Sequence, residues 1–324
     1  MSQTAKTISI CIPVYNEAQN LPRAVEEVEA LFAPGQGALS RYSLEIVVTD
    51  NASTDSTWET VQKLSETRPH LKGFRFSRNF GYQNSVFAGL SLATGDAVVE
   101  MDADLEDPPQ VIPRFVEKWE QGFDVAYGVR SKRFAPWGLK ILFNLFYRVL
   151  NRMSDLKIPA NSGDFRLLDR RVVEVLKLLP ERNLYLRGLV TFLGFRQVPV
   201  VYERQPRISG SSKFRFFHYV VLAIDALTAF SKTPLRVIGA LGVSLFLFSM
   251  GLGLYYLVSY LAHGVPVQGF TTIVVLMLLL HSVTFMFLGV LGEYLSRIFD
   301  DSKGRPRVII ADAVRAGADF PRFL

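Results

Sequence analysis

The sequence predicts an α/β domain with a mostly parallel, Rossmann-like sheet, followed by a two-helix transmembrane hairpin. Three observations carry that expectation. Short apolar, β-branched runs alternate with helical stretches at βαβ spacing through residues 7–127; polar and acidic residues cluster directly after those runs; and residues 237–292, 56 in succession, contain no Asp, Glu, Lys or Arg.

The first β-like run is residues 7–14, TISICIPV, and similar runs recur at 44–49, 73–76, 97–101 and 123–127. Between them, residues 21–32, 56–66, 84–93 and 109–121 read as helices. Parallel strands need crossovers of about this length. Such sheets bind ligands beyond the carboxyl ends of their strands, so chemistry is expected in the loops that come after each strand.

Those loops hold the polar residues. Pro13-Val14-Tyr15-Asn16-Glu17 follows the first run and Asp50-Asn51-Ala52-Ser53-Thr54-Asp55 the second. Ser77-Arg78-Asn79-Phe80-Gly81 follows the third and Asp102-Ala103-Asp104-Leu105-Glu106-Asp107 the fourth. Glu17, Asp50, Arg78, Asp102 and Asp104 should therefore share one rim, with Asp55 placed to cap the next helix. Asp102 and Asp104, two residues apart past a strand end, can hold a hard divalent cation, with Glu106 as a third oxygen donor. Mg²⁺ or Mn²⁺ bound by so few ligands retains positions for the two phosphates of a nucleotide diphosphate. Zinc is not expected, because His70, His218, His263 and His281 are scattered and the single Cys11 lies inside a strand.

The uncharged stretch is long enough for two spans, since about 20 apolar residues cross the hydrocarbon core. Turn formers and polar groups at 262–269 divide it. Residues 204–236 carry six basic side chains against Asp225 alone, and Arg297, Lys303, Arg305 and Arg307 come after the second span. Basic flanks stay cytoplasmic, so the large N-terminal part and the tail are both expected in the cytosol, in the inner or plasma membrane if the source is bacterial. The polar start Met1-Ser2-Gln3-Thr4 does not read as a signal peptide, and one cysteine fits a reducing compartment. Residues 137–152 are mostly Leu, Ile, Phe, Tyr and Val, but Lys140, Asn144, Arg148 and Arg152 recur every fourth residue and make one polar stripe on an interfacial helix. Residues 214–230 read similarly. The expected map is a cytosolic domain at 1–212, a juxtamembrane helix at 213–233, spans at 235–262 and 269–296, and a cytosolic tail at 297–324.

The 324 residues are 49% hydrophobic and 20% charged, with net charge +6. That composition excludes disordered, collagen-like and disulfide-stapled classes. The basic excess concentrates beside the hairpin, which argues for a membrane surface and against nucleic acid. Small residues Gly239, Gly242, Ser249 and Gly253 on the first span leave a homo-oligomer open, and His281 inside the second span is expected as a neutral residue bonded across the hairpin.

The ordered loops, together with Ser162-Gly163-Asp164-Phe165-Arg166-Leu167, resemble the inverting GT-A glycosyltransferases of glycosyltransferase family two. The chain is more closely similar to the polyprenyl-phosphate glycosyltransferases, the GtrB-like and dolichol-phosphate mannosyltransferase group, over nearly its whole length. The resemblance implies a GT-A catalytic domain that moves a hexose, UDP-glucose being the favoured donor, onto a membrane polyprenyl phosphate such as undecaprenyl or dolichyl phosphate. It further implies a donor pocket from Pro13, Tyr15, Glu17, Asp50, Arg78 and Asp102, and a metal and diphosphate site at Asp102, Asp104 and Glu106. Asp164 matches the proposed catalytic base, and Arg130, Lys140, Arg148, Arg204 and Arg207 are candidates for gripping the acceptor phosphate. One departure is Asn51, where relatives carry a second Asp and the amide can donate as well as accept. GDP-mannose, UDP-GlcNAc and UDP-aminoarabinose-type donors stay open, as does a non-enzymatic membrane partner. A processive synthase would need more spans and an Arg-Trp motif, yet none of Trp58, Trp119 or Trp137 follows an arginine. A dinucleotide oxidoreductase would need Gly-x-Gly-x-x-Gly after the first strand.

Overall fold

A computed structural model of the chain describes residues 5–131, 162–181, 184–205, 233–263, 269–316 and 320–324. The expected interfacial stretches at 137–152 and 214–230, and with them Lys140, Arg148 and Arg207, lie outside the described residues. The chain forms two compact units, one containing the N-terminal domain and the last residues from Gly304, the other containing the two long apolar helices.

The first unit is built on an eight-stranded sheet of order β7-β5-β6-β4-β1-β2-β3-β8. Its strands are β1 (Thr7–Val14), β2 (Ser43–Asp50), β3 (Leu71–Phe76), β4 (Ala97–Glu100), β5 (Val125–Arg130), β6 (Ser162–Asp169), β7 (Gln197–Tyr202) and β8 (Ile310–Val314). The helices are α1 (Leu21–Phe32), α2 (Thr57–Thr67), α3 (Tyr82–Leu92), α4 (Ile112–Glu120), α5 (Arg170–Leu178) and α6 (Leu186–Phe192). β1 pairs in parallel with β2 and β4, and β2 with β3, so four carboxyl ends point the same way. β6 inserts antiparallel between β4 and β5, so the strand carrying Asp164 runs back toward the opposite edge and contributes its beginning to the rim. The sheet is mixed, with parallel pairs in the majority.

Alternation along β1 explains the layering. Ile8, Ile10 and Ile12 enter a core with Val25, Val28, Phe115 and Trp119, while Ser9 and Cys11 face the other side. There α3 lies close to the sheet because Gly89 has no side chain; a Cβ would stand 3.2 Å from that of Cys11. At the amino end of β2, buried Glu45 accepts from Ser9 Oγ, from Thr94 N (2.7 Å) and Oγ1 (2.7 Å), and from Lys72 Nζ (2.6 Å). A buried carboxylate is tolerable only with such compensation.

The tail does not stand apart from this domain. β8 pairs antiparallel with β3, Ser77 N donates to Ile309 O (2.9 Å), and Phe320 meets Phe74 edge-on. Trp58 Nε1 donates to Asp312 (3.2 Å), Arg315 to the carbonyls of Ser65 and Glu66 at the end of α2, and Arg307 to those of Leu179 and Glu181.

In the second unit, α7 (Thr233–His263) and α8 (Phe270–Ser302) contain segments of mean hydropathy 2.1 and 1.8 long enough to cross a membrane. α8 continues six residues beyond the expected end of the second span at 296. Phe246, Phe248, Leu254, Leu278 and Phe285 are exposed, as lipid-facing side chains are. Among the described residues His281 has no bond across the hairpin: its Nδ1 lies 2.7 Å from Met277 O, one turn back in the same helix, where Ser282 and Thr284 also return their hydroxyls to carbonyls four residues earlier.

Candidate active site

The rim begins with two loops stitched together. Asn16 N donates to Ser53 Oγ (2.9 Å), Thr54 N to Asn16 Oδ1 (2.8 Å), and Glu17 N to Thr57 Oγ1 (2.9 Å). Asn16 and Ala52 adopt φ of 58° and 59°, a left-handed conformation strained for residues with a Cβ. Pro13 is buried at the end of β1, Tyr15 is exposed, and Glu17 accepts from Asn20 Nδ2 (2.6 Å). Asp55 accepts from Thr57 N (3.0 Å), but the N-cap of α2 is Ser56, one residue later than expected, because the helix starts at Thr57.

Asp50 is fully buried at the base of this cleft. Its Oδ1 accepts from Ser53 N (3.0 Å), while Oδ2 has no hydrogen-bond donor among the described residues and faces Arg75 Nε at 3.4 Å. Burial raises its pKa, against the pull of Ser53 and Arg75. Asn51 explains its own departure from the family pattern: Nδ2 donates to Asn79 Oδ1 (3.0 Å) and Oδ1 accepts from Phe80 N (2.9 Å). A carboxylate could not make the first of these bonds, so the amide ties the second loop to the third. Arg78 is exposed on that third loop, its guanidinium 4.1 Å from the Phe80 ring centre.

The fourth loop carries the acids. Tyr82 OH donates to Asp102 Oδ1 (2.8 Å), and Glu106 N to Asp104 Oδ1 (3.1 Å), around Leu105 at φ 57°. Burial, then the charge of Asp104, lifts Asp102 to about 7 despite the Tyr82 bond. Two carboxylates in mutual repulsion suit a divalent cation, so Asp102 and Asp104 fit one. The expected third donor does not join them: Glu106 forms an ion pair with Arg204, and Gln205 N donates to Glu106 O (2.9 Å). Among the described residues no three His, Cys, Asp or Glu side chains are gathered as a cation site.

Arg130 and Arg204, both expected at the acceptor phosphate, converge on the next acid. Asp107 accepts from Arg130 Nη2 (2.9 Å) and Tyr202 OH (2.5 Å), with Arg204 Nε at 3.6 Å. Gly128 makes this possible, since a Cβ there would lie 2.6 Å from the Tyr202 ring. Arg130 also passes over Gly163, whose absent Cβ would be 3.3 Å from Nη2.

Asp164 therefore lies near Arg130, and its own partners include one that no sequence motif marks. Arg187 on α6 donates through Nε to Oδ1 (2.7 Å) and through Nη2 to Oδ2 (2.8 Å). Arg166 adds Nη2 to Oδ1 (3.1 Å). Burial alone would raise this carboxyl, but Arg187, followed by Arg166 and Arg130, holds it at about 2. Beneath lies Glu100, buried, with no hydrogen bond to either oxygen and Arg166 Nε at 3.6 Å; burial, then Asp164, pushes its pKa well up. Arg187 lies in a seven-residue helix with no periodic signal, and Glu100 reads as one more residue of an apolar strand.

A mixed, mostly parallel sheet with a carboxylate pair after β4, a buried carboxylate at the end of β2 and a guarded carboxylate on β6 is the GT-A glycosyltransferase arrangement. Residues 9–177 match the model of Glycosyl transferase family 2, and the chain belongs to that family. An uncharacterised glycosyltransferase of Synechocystis sp. is 36% identical over 94% of this chain and 95% of its own length. The bactoprenol glucosyl transferase of Shigella phage SfX is 39% identical over 94% of this chain and 98% of its own. A solved mannosyltransferase from Pyrobaculum calidifontis, in complex with GDP-Man and Mn²⁺, aligns with 92% of this chain and 88% of its own at 19% identity and a TM-score of 0.44.

Proposed function

We propose that this protein transfers glucose from a nucleotide-diphosphate sugar, UDP-glucose by preference, to the phosphate of a membrane polyprenyl phosphate, with inversion at the sugar. The observation that carries this is the near full-length match, apolar helices included, to bactoprenol glucosyl transferases. Both ends of the hairpin and the catalytic domain then face the cytosol, as the basic flanks favour.

In this reading Asp50, whose Oδ2 faces Arg75 and takes no hydrogen bond among the described residues, accepts from the nucleobase, and Tyr15, Glu17, Pro13 and Arg78 line the rest of the donor pocket. Asp102 and Asp104 are the residues that would hold Mg²⁺ or Mn²⁺, which would supply positive charge to the departing nucleotide diphosphate. Arg130 and Arg204 exchange Asp107 and Glu106 for the acceptor phosphate. A phosphate monoester is largely dianionic near pH 7, its second pKa being about 6, so little deprotonation is needed. Asp164, held at about 2, is a carboxylate throughout the working range and a weak base. Its role is to orient the acceptor for in-line attack through the arginines it fixes, Arg166 and Arg187, since a carboxylate and a dianion have no hydrogen to share.

The test is purified full-length protein with Mg²⁺ or Mn²⁺, undecaprenyl phosphate and a panel of UDP- and GDP-sugars, read by the mass of the lipid product. A hexosyl-phospholipid formed from UDP-glucose, abolished by EDTA and by Asp104→Ala, is the expected result. Product from another donor alone would reassign the sugar, and none from any donor would reject the activity.

A further inference from the structure

Asp164 is held more firmly than charge balance demands. Arg166, itself buried, already neutralises it and bonds the carbonyls of Asp164 (2.9 Å) and Gly163 (3.2 Å). Arg187 comes from a separate helix and engages both carboxylate oxygens side by side, a geometry that fixes the plane of the carboxylate as well as its charge. Among the described residues Oδ1 receives two donors and Oδ2 one. An ionised carboxylate offers about four acceptor sites, so Oδ2 is the oxygen with capacity left for a further hydrogen bond.

The helix that carries Arg187 is itself pinned. α6 is short, and Leu186, Leu189 and Val190 are buried under it. Its first N–H, of Leu186, donates to Gln83 Oε1 (3.0 Å) in α3. The residue before Gln83 is Tyr82, which holds Asp102. Two adjacent pairs, Tyr82-Gln83 and Leu186-Arg187, thus span from the donor-side carboxylate to Asp164 through short, directional contacts.

We propose that Arg187 is a positioning residue for the transfer reaction, acting through Asp164, with Gln83 fixing the helix that presents it to the donor-side acids. This rests on the reading of Asp164 as the residue that orients the acceptor. The bidentate contact fixes the plane of the Asp164 carboxylate, and the Gln83 link ties the helix of Arg187 to the residue next to Tyr82. A displacement of about 1 Å at such a group costs up to about 100-fold in rate, which sets the scale of the effect.

The experiment compares Arg187→Met, Arg187→Lys and Gln83→Leu in the full-length enzyme, each alone and in the Asp164→Asn background, by kcat, donor KM and melting temperature. Arg187→Met is expected to lower kcat by about 10- to 100-fold with donor KM changed less than about twofold. Arg187→Lys should recover part of that loss, and Gln83→Leu should show a smaller loss of the same kind. With Asp164→Asn already present, Arg187→Met should add nothing further, because a residue acting only through Asp164 has no separate effect. Losses that multiply in the double variant, or an unchanged kcat in Arg187→Met, would overturn the proposal while leaving Asp164 in its role. Wild-type turnover by Asp164→Asn would instead reject the role given to Asp164. If Arg187→Met fails to fold, Arg187→Lys and Gln83→Leu, read in both backgrounds, decide the matter.

Discussion

The phenol of Tyr82 donates to Oδ1 of Asp102 across 2.8 Å, so the first residue of α3 holds the carboxylate at the end of β4. A hydrogen bond to a charged group contributes about 1.5–3 kcal/mol. Tyr82→Phe keeps the ring and removes only that bond. It should lower kcat/KM for the nucleotide sugar by about tenfold, equivalent to about 1.4 kcal/mol, and raise the metal concentration needed for half-maximal rate. Steady-state titrations of donor and Mg²⁺ measure both, and unchanged values would mean that the bond is not made during turnover.

Glu45 sets an acid limit on folding. Burial raises its carboxyl, but Lys72, Ser9 and Thr94 outweigh that and hold it below the ordinary carboxylate value of 4.5. Its contribution is therefore complete above about 4.5 and is lost as pH falls through the depressed value. Asp164 acts in the same direction between 3.8 and about 2. Glu45→Gln should destabilise the protein by about 2–4 kcal/mol near neutrality, because it leaves Lys72 and the Ser9–Thr94 donors poorly matched. The gap from wild type should narrow below pH 4 in denaturant melts. A gap constant with pH would remove Glu45 as its source.

Ala52 sits at φ 59° between Asn51 and Ser53. Left-handed backbone costs a residue with a Cβ about 1–2 kcal/mol, partly offset by the greater chain entropy that glycine loses on folding. Ala52→Gly should raise stability by about 0.5–1 kcal/mol, and Ala52→Val should lower it by at least about 1 kcal/mol. Thermal melts of the two variants should move in opposite directions; movement in the same direction would argue against strain at this position.

Residues 308–324 seal the outer edge of β3 with β8, the buried side chains of Val308 and Ile310, and the Phe320–Phe74 contact. Each buried aliphatic side chain contributes about 1.5–3 kcal/mol. Ending the chain after Gly304 should therefore cost at least about 3 kcal/mol, roughly 10 °C in apparent melting temperature for a domain of this size. Asp312→Ala removes the Trp58 bond and the local bond from Ala313 N (2.8 Å), and should cost about 1 kcal/mol. A truncated protein with an unchanged melting temperature would make the edge strand dispensable.

The first half of the domain was legible because each element carries its own pattern. β1 and α1 fall at the expected residues, and the four loops after β1 to β4 meet at one rim since the strands between them are parallel. The illegible features depend on partners far away in sequence. β6 announces Asp164 by a motif, yet its antiparallel place between β4 and β5 is set by pairing across more than 60 residues. β8 is a five-residue run whose conformation is decided by the open edge of β3. Glu106 looked like a metal ligand from its spacing to Asp104, and its capture by Arg204 depends on the path of the chain after β7. Arg187 is one arginine among 36 basic residues, distinguished only by the fold.

The strand that closes the sheet is also the last to be synthesised. β8 emerges only after α7 and α8, so a nascent chain carries the β1–β3 half of the sheet with a bare edge while both apolar helices are still being made. An unpaired edge is an invitation to mispairing. Completion of the catalytic sheet thus reports that the hairpin has left the ribosome, and the donor-side loop whose Ser77 bonds Ile309 acquires that bond only then. An enzyme that lacks β8 has an unfinished sheet edge.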